Sequence, residues 1–256
     1  MRIHLFEPLC VGVGERAVLN GHFRRHKAKA LFVYLYLKRG RYISKYRLLA
    51  DLWPHAEEAD TDRVKHTVQV LRAALEGRRP ADGWHYILEK GGAYAFNAEA
   101  ERWSDLEEFE RELCLAGQAL GQGDDALALD HHWRAVELNR GEFLDEFRYE
   151  DWAADEIALV QERYLHALEQ AAHLEAARGA YRAAIALLRK ALVEDPLHES
   201  SYLALMRYLA LDGRRTEALR VYHRLRTVLA RHLGVKPQVE AVRLYEAISQ
   251  ERAAAV

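Results

Sequence analysis

The sequence predicts a mainly α-helical protein with a small β part, divided into a mixed N-terminal domain and an all-helical C-terminal domain. Strand-like runs occur near the start of the chain and again around residues 84–96. Elsewhere, apolar residues recur every three to four positions, which is typical of helices packed on one face. Beyond residue 100 this pattern contains a repeat with a period of 34 residues, which indicates stacked helical hairpins.

The length and composition place the chain among globular proteins. A chain of 256 residues, half of them apolar, can bury two hydrophobic cores. No run approaches the roughly eighteen consecutive apolar residues that a membrane span needs, and the first residues lack the pattern of a secretory signal. We therefore expect a cytoplasmic protein without membrane contact. Cys10 and Cys114 lie far apart in apolar surroundings and are expected to be small buried hydrophobes.

The net charge of −2 conceals an asymmetry along the chain. Residues 1–97 contain 17 Lys and Arg against 10 Asp and Glu, whereas residues 98–256 contain 20 against 29. Affinity for a polyanion depends on positive charge at the contacting surface and not on the charge of the whole chain, because counterions are released where the two molecules touch. The basic N-terminal part is therefore the candidate for contact with nucleic acid.

The first domain begins with a small antiparallel sheet followed by two helices. Its first residues contain the runs I-H-L-F, L-C-V-G-V and A-V-L-N, separated by proline, by glycines and by the turn-forming pair Asn20 and Gly21. A helical stripe then starts at His26 and stops at an Arg-Gly pair. Ser44 is a good N-cap for a second helix, which Pro54 closes.

A third helix and a β-hairpin complete this domain. A loop from Pro54 to Asp60 leads into the helix D-T-D-R-V-K-H-T-V-Q-V-L-R-A-A-L-E, residues 60–76. The segment W-H-Y-I-L-E-K-G-G-A-Y-A-F, residues 84–96, predicts two short strands joined by a K-G-G turn. This order of elements places a domain boundary after residue 98, so that residues 99–256 form the second domain.

The second domain repeats a helix-hairpin pattern. Its residues match the spacing of tetratricopeptide repeats at Gly179, Tyr181, Ala184, Leu188, Ala191 and Pro196, and again at Gly213, Ala218, Tyr222 and Leu225. Small residues let two helices approach, and glycine permits the turn between them. Gly121 with Ala126 is a candidate for an eroded earlier copy. A set of aromatic residues is expected to fill the core where the first repeats meet: Trp133, Phe143, Phe147, Tyr149 and Trp152.

The sequence contains no constellation of residues that predicts catalysis. The G-V-G-E-R-A run in the first domain mimics a dinucleotide-binding fingerprint, but strand-like and turn-forming residues follow it instead of a helix. The pairs His22/His26 and His131/His132 lack a third ligand at zinc-like spacing, so surface or capping histidines are the better interpretation. A nucleophile elbow and a phosphate-binding loop are missing from the sequence. We expect neither an enzyme nor a cofactor or metal site.

The third helix has two chemically different faces. Its core-facing residues on a helical wheel are Val64, Val68, Leu71 and Leu75. The opposite face carries Asp62, His66, Gln69 and Ala73, with Arg63, Lys65 and Arg72 at its margins. Such a face suits the major groove of DNA, because amide and short side chains reach base edges while cations at the margins meet phosphates. With a helix before it and a hairpin after it, the order of elements is that of a winged helix.

These segments resemble a known family of bacterial regulators. The first domain resembles the OmpR-type DNA-binding domain of SARP-type activators, the antibiotic regulatory proteins, and the remainder is similar to their bacterial transcriptional activation domain. The resemblance is carried by residues 27–37, 44–54, 63–75, 86–96, 105–109, 152, 195–206, 218–222, 233–238 and 244–248. It implies sequence-specific binding to repeated sites in double-stranded promoter DNA, usually by more than one protomer, and recruitment of RNA polymerase. A homodimer on DNA is therefore an expected state.

The resemblance also assigns roles to individual residues. The recognition helix is residues 60–76, and the candidate DNA contacts are Lys45, Arg47, Arg63, Lys65, His66, Gln69, Arg72 and Lys90. Lys45 and Arg47 are phosphate candidates at the start of the second helix, where the helix dipole favours anions, and Lys90 is the wing candidate. Glu57, Glu58 and Asp60 make the preceding loop acidic, which suits a basic patch on a sigma factor or another polymerase subunit.

The chain departs from the family pattern at the end of the recognition helix. The run V-L-R-A-A-L-E holds fewer arginines than is usual there. If roughly five or six phosphates are neutralised, log affinity falls against log salt with a slope of about −5. We expect His66→Ala and Gln69→Ala to lower discrimination between operator and random DNA, and Arg72→Ala to weaken binding to both alike.

Two other classes of function stay open from the sequence. In one, the winged helix is a docking module and the repeats bind a peptide or another protein, which the acidic total charge and the few arginines would suit. In the other, the chain is a hydrolase or another small-molecule enzyme, and the lack of a reactive constellation argues against it. Binding to DNA at low salt separates DNA recognition from docking.

Overall fold

The computed structural model describes residues 1–6, 8–20, 23, 25–81 and 83–250, and of Glu58 it describes only the backbone. The chain divides into two compact units. The first contains Met1–Glu108 and Leu138–Val160, and the second contains Phe109–Glu137 and the chain from Gln161 onward. The units therefore alternate along the sequence. The boundary after residue 98 stays a prediction.

The seven described strands form two small sheets in the first unit. They are β1 (Arg2–His4), β2 (Cys10–Val13), β3 (Arg16–Leu19), β4 (Ile43–Ser44), β5 (Ile87–Lys90), β6 (Ala93–Phe96) and β7 (Trp103–Ser104). The first sheet has the order β3-β2-β1-β7, in which β7 runs parallel to β1 and the other pairs are antiparallel. The second sheet has the order β4-β6-β5 and is antiparallel.

Ten α-helices make up most of the described chain. They are α1 (His26–Leu37), α2 (Lys45–Leu52), α3 (Thr61–Glu76), α4 (Asp105–Gly121), α5 (Asp125–Leu138), α6 (Asp151–Ala177), α7 (Tyr181–Glu194), α8 (Glu199–Leu211), α9 (Arg215–His232) and α10 (Val239–Gln250). Short 3-10 turns occupy Glu58–Asp60 and Asp145–Phe147. The fold class predicted from the sequence is thereby confirmed. Within the described ranges, no helix is long and apolar enough to cross a membrane.

Helix α1 lies at the centre of the first unit's core. All its residues from Ala28 to Tyr36 are buried, which is typical of a helix that packs on every side, and it contacts α2, α3 and β6. Lys29 is the charged member of this set, and its ammonium donates to the Glu146 carboxylate at 2.7 Å. A buried cation is tolerated there because it is paired.

The glycine run in the first sheet forms a hairpin turn. Val13 pairs with Arg16, so Gly14 lies in a two-residue connection between β2 and β3, and its φ of +59° is one that glycine adopts readily. The resemblance of this run to a dinucleotide-binding fingerprint is therefore explained by turn formation. The turn predicted at Asn20 and Gly21 follows β3, and Gly21 lies outside the described residues.

The helical repeats are confirmed, but the earliest copy has a different register. Gly123, Gly179 and Gly213 lie between successive helices with φ between +75° and +80°. The fifth residue after each glycine is a fully buried alanine, namely Ala128, Ala184 and Ala218. The prediction of Gly121 and Ala126 was thus wrong by two residues, because Gly121 still belongs to α4 and Ala126 is exposed.

Of the aromatic residues expected between the first repeats, Phe143, Phe147 and Trp152 lie in the first unit. Trp133 lies in α5 of the second unit, where it is half-buried and its Nε1 donates to Glu175 of α6 at 2.9 Å. Phe143 and Phe147 are buried. The ring of Trp152 lies 5.3 Å from Phe147 and 5.7 Å from Tyr34 in α1, measured between centroids. The expectation of a core role was wrong for Tyr149, whose side chain projects into solvent and is 91% exposed.

Candidate DNA-binding interface

Helix α3 presents one apolar face and one polar face, as its periodicity predicts. Val64, Val68, Leu71 and Leu75 are all 0% exposed, and the helix packs against α1 and α2. Asp62, His66, Gln69 and Ala73 are exposed on the other side. At about 1.5 Å per residue the helix is about 24 Å long, enough to lie along a major groove. The polar face is therefore free to meet a ligand.

The cations at the start of α3 are paired with neighbouring carboxylates. Arg63 Nε lies 3.1 Å from Asp60 Oδ2, and Lys65 Nζ lies 2.8 Å from Asp62 Oδ1. The hydrogen bond from Lys65 lowers the pKa of Asp62 below its usual value, and the same bond raises the pKa of Lys65. Both pairs are exposed and weak in water. A phosphate that approaches Lys65 would still compete with this carboxylate.

Arg72 has a structural position that the sequence did not reveal. Its side chain is buried, with 3% of the residue exposed, and its Nε and Nη2 donate to the Ile87 carbonyl oxygen at 3.1 and 2.9 Å. The guanidinium also lies 5.2 Å from the Trp84 ring and 3.3 Å from the Glu89 carboxylate. The assignment of Arg72 as a marginal phosphate ligand was wrong, because its donors are directed into the protein.

The β5–β6 hairpin forms the wing beside α3. Gly91 and Gly92 have φ of +59° and +75°, which a two-residue hairpin turn requires, and Lys90 before them is exposed. Lys90 pairs with Ala93, and Ala93 in turn pairs with Ser44. This register brings the exposed end of the wing to the same edge as the start of α2.

The start of α2 is fixed by a side-chain cap. Ser44 Oγ accepts a hydrogen bond from the Arg47 amide at 3.2 Å, which confirms the predicted N-cap. The backbone amide of Lys45 donates to Gly92 at 3.2 Å, and its ammonium lies 5.1 Å from the Tyr46 ring. Lys45 is half-buried and is tied to the wing through its backbone.

Arg47 is engaged with a carboxylate of its own helix. Its Nε donates to Asp51 Oδ2 at 2.7 Å, and Asp51 also accepts a hydrogen bond from Tyr34. Burial, with the Asp51 bond next in importance, raises the pKa of Tyr34 to about 12, so that this phenol stays protonated. The Arg47 side chain is 70% exposed, and a phosphate can therefore still reach its other guanidinium nitrogens.

An open cleft of about 630 Å³ separates the end of α3 from the wing. Its lining includes Tyr42, Gln69, Arg79, Trp84 and Glu89. The buried Arg72 also lines the cleft; the sequence pointed to Gln69 and Arg72 but not to Tyr42, Arg79 or Trp84. Arg79 belongs to the R-R-P run after α3, and a basic pair directly after a recognition helix is a signal that could have found it. The cleft adds an exposed cation and two aromatic rings to the candidate interface.

The acidic loop before α3 is more ordered than an open loop. Glu57 is exposed, and the Asp60 amide donates to its carbonyl oxygen at 2.9 Å as the chain enters a 3-10 turn. The carboxylate of Asp60 pairs with Arg63, so one of the negative charges predicted for this loop is already neutralised within the unit. The side chain of Glu58 lies outside the described residues.

The histidine pairs do not form a metal centre within the described residues, where no cluster of three or more His, Cys, Asp or Glu could hold an ion. His22 lies outside those residues, and His26 contacts Glu150 at 3.0 Å. The expectation of surface histidines was wrong for His131 and His132, which are buried in the second unit. His131 Nδ1 lies 2.7 Å from Glu112, whereas both ring nitrogens of His132 lack a hydrogen-bond partner.

The cysteines also differ from expectation. Both are free thiols in the described structure. Cys10 is half-buried in β2, but Cys114 is exposed on α4, so the prediction of a buried hydrophobe was wrong for Cys114. Helical periodicity explains the difference, because position 114 falls on the outer face of α4.

Comparison with known proteins agrees with this architecture. The family model of the bacterial transcriptional activator domain matches residues 104–249. The regulatory protein AfsR of Streptomyces coelicolor is 30% identical over 87% of the chain, and the regulatory protein DnrI of Streptomyces peucetius is 25% identical over 87%. This chain belongs to the SARP family of bacterial regulators. Its curated relatives are transcriptional regulators.

The solved structure of EmbR from Mycobacterium tuberculosis, in complex with a low-affinity phosphopeptide, resembles this SARP-family chain throughout. The TM-score is 0.81 at 25% identity, over 98% of this chain and 65% of that one. The chain also spans 22% of the length of AfsR but 83% of DnrI. The likeness therefore concerns the two units described here, and the further parts of the longer relatives have no counterpart in the matched region.

Proposed function

We propose that this SARP-family chain is a sequence-specific DNA-binding regulator that inserts α3 into the major groove. The observation that carries the proposal is the division of α3 into a fully buried apolar face and an exposed face with His66 and Gln69. An amide reads adenine through two hydrogen bonds, and imidazole can donate to or accept from base edges. Exposed cations around this face that would meet phosphates include Arg47, Arg79 and Lys90, and Arg63 and Lys65 are exposed but paired with carboxylates.

The direct test is selection of DNA by the purified full chain. Duplexes with a randomised region are bound at low salt, and the retained DNA is sequenced. The proposal expects an enriched motif repeated in direct orientation, since members of the family are expected to occupy repeated sites with more than one protomer. A chain that binds duplexes without enriching any motif would contradict sequence-specific recognition.

The proposal includes activation through contact of the acidic loop with RNA polymerase. Glu57 is the exposed acidic side chain described in this loop, and a basic surface on a sigma factor or another subunit would complement it. Glu57→Lys should abolish activation in transcription with purified polymerase and leave DNA affinity unchanged. Glu99→Lys, an equal charge change at another exposed position of the first unit, is the control. Equal losses of activation in both variants would rule out a specific role of the loop.

A docking role of the winged helix is the second candidate, and one observation favours it. The cations of α3 are held by Asp60, Asp62 and the interior, which leaves few free charges on the helix itself. This candidate expects no binding to duplex DNA even at about 50 mM salt, where phosphate contacts are strongest. Filter binding of the purified chain to duplex DNA at low salt therefore separates the two candidates.

A further inference from the structure

The second unit contains a strongly basic segment within an acidic half of the chain. Residues 203–236 hold eight Lys and Arg against two Asp and Glu. The two acidic residues, Asp212 and Glu217, lie 3.8 and 2.8 Å from the guanidinium of Arg214. Most of the remaining cations belong to α9. This helix therefore concentrates positive charge that neighbouring carboxylates do not neutralise.

Three of these cations form a line on α9, which we call the arginine stripe: Arg220, Arg224 and Arg231. With 3.6 residues per turn, they fall within about 40° of one another and extend over about 16 Å of helix. The packed face of α9 consists of Ala218, Tyr222, Leu225 and Leu229, on the opposite side. All three arginines are exposed. By helical position, the stripe thus lies on the side of α9 opposite its packed face.

The three arginines of the stripe have no carboxylate partner among the described residues, in contrast to three paired surface arginines of the same unit. Arg134, Arg178 and Arg189 each lie 2.7 to 3.0 Å from an Asp or Glu oxygen. Arg224 does act on the buried Tyr202, where its positive charge opposes the larger effect of burial, which raises the pKa of that phenol. Guanidinium groups without a carboxylate partner are available to bind an external anion.

The composition of the arginine stripe favours a phosphate backbone over a protein surface. Thr227, which fills the position between Arg224 and Arg231, is exposed and polar. Protein-binding faces need an apolar or aromatic anchor at their centre, and the stripe has none. Interfaces with DNA are more polar and more positive, and arginine and threonine are regular donors to phosphate oxygens.

We propose that the arginine stripe binds the phosphate backbone of duplex DNA, which makes the repeat unit a second, sequence-independent DNA contact. This inference rests on the proposed function. A second contact would compensate for the small number of unpaired cations on α3 in the first unit, where Arg63 and Lys65 are paired and Arg72 is buried. A regulator with a weakly charged recognition helix gains affinity from cations elsewhere, because each neutralised phosphate adds to the counterions released.

The test compares full-length variants by fluorescence anisotropy on the selected motif and on random duplex, over a range of salt concentrations. The stripe variant is Arg220→Gln, Arg224→Gln and Arg231→Gln combined. Its matched control is Arg134→Gln, Arg178→Gln and Arg189→Gln, which removes the same charge from paired arginines of the same unit. Circular dichroism during heating verifies that both variants fold. If the triple variant does not fold, the three single substitutions replace it.

The slope of log affinity against log salt concentration should be less steep by about 2 to 3 in the stripe variant, on both duplexes. The reason is that each phosphate contact contributes about 0.9 to this slope. Each single substitution should lose about 0.9. The control should keep the parent slope, and a variant with lysine at all three stripe positions should restore it. The ratio of affinities for motif and random DNA should stay constant, because a backbone contact carries no sequence information.

The two levels of the hypothesis fail in different ways. If the parent chain binds both duplexes equally but the stripe variant has a less steep salt dependence, the proposal of sequence-specific binding is wrong and the proposed phosphate contact of the arginine stripe is supported. If the parent discriminates and the stripe variant keeps its slope, the stripe inference is overturned. A stripe variant with unchanged DNA binding that no longer binds polyglutamate would instead assign the stripe to an acidic protein partner.

Discussion

The guanidinium of Arg72 and the carbonyl oxygen of Ile87 join α3 to the first strand of the wing through two hydrogen bonds, at 2.9 and 3.1 Å. The Trp84 and Tyr94 rings lie 5.2 and 5.8 Å from the same guanidinium. The two elements that we expect to contact DNA are therefore held together by a side chain that itself faces inward. Arg72 positions the interface instead of forming it.

Arg72→Ala should destabilise the chain by about 2 to 3 kcal/mol, because the Ile87 carbonyl oxygen loses its charged donors in a buried setting. Arg72→Lys should recover only part of this loss, since an ammonium cannot reproduce the two parallel bonds of a guanidinium. Urea unfolding measures both variants. Arg63→Ala, whose ion pair is exposed, should change stability by less than about 0.5 kcal/mol. Equal effects at the two positions would contradict the positioning role.

His66→Ala and Gln69→Ala should reduce discrimination between the selected motif and random DNA, each by about 1 to 3 kcal/mol. The reason is that both side chains are exposed on the polar face of α3, where base edges would lie. Affinity for random duplex should be nearly unchanged, and anisotropy titrations on both duplexes measure the ratio. Thr216→Ala in α9 is a surface control that should leave the ratio as it is.

Asp62→Asn should strengthen binding to random duplex and steepen the salt slope by up to about 1. The carboxylate of Asp62 holds Lys65 at 2.8 Å, so its neutralisation releases one cation for phosphate. The matched control is Asp130→Asn, which removes the same charge from the Asp130–Arg134 pair in the second unit. If both substitutions change the slope equally, the effect reflects total charge and not the freed lysine.

His132 should make the second unit sensitive to mild acid. Burial, with smaller contributions from His166 and His131, lowers the pKa of His132 from 6.5 to about 4. Between these two values the unfolded chain binds a proton that the folded chain does not, so stability falls as the pH decreases from about 6.5 to about 4. The loss amounts to about 3 kcal/mol, from about 1.4 kcal/mol for each pH unit.

The substitution that tests this prediction is His132→Leu. Leucine already stands at the equivalent position of the next repeat, where Leu188 follows Gly179 by the same nine residues as His132 follows Gly123. The variant should lose most of the extra dependence on pH when unfolding is compared at pH 7 and pH 4.5. His166→Gln, at an exposed position, should retain it. A parent chain whose stability is flat over this range would refute the prediction.

The sequence was most informative where structure depends on local periodicity. The faces of α3, the cap at Ser44 and the K-G-G turn each follow from a few neighbouring residues, and all three occur as expected. The resemblance to SARP-type regulators added the order of the two domains. The first three features depend on neighbouring residues and the domain order is shared with the family, so a single sequence was sufficient to predict them.

The errors concern side chains whose environment depends on distant parts of the chain. Arg72 falls at the margin of α3 on a helical wheel, and only the return of the hairpin along this helix buries it. Similarly, His132 occupies a core position because its repeat begins at Gly123, two residues later than the sequence alone suggested. In both cases the spacing was visible in the sequence, but the partner that decides burial was not.

Strand β7 belongs to the first sheet and Asp105 contacts the residues after β1, although both follow residue 98 in the sequence. The Asp105 carboxylate accepts hydrogen bonds from the Leu5 and Phe6 amides at 2.8 to 3.1 Å, and β7 completes the first sheet by pairing with β1. A fragment that ends at residue 98 would expose a strand edge and leave these two amides unsatisfied. Exchange of DNA-reading parts between relatives would therefore succeed only if the donated piece carries its closing strand beyond residue 105.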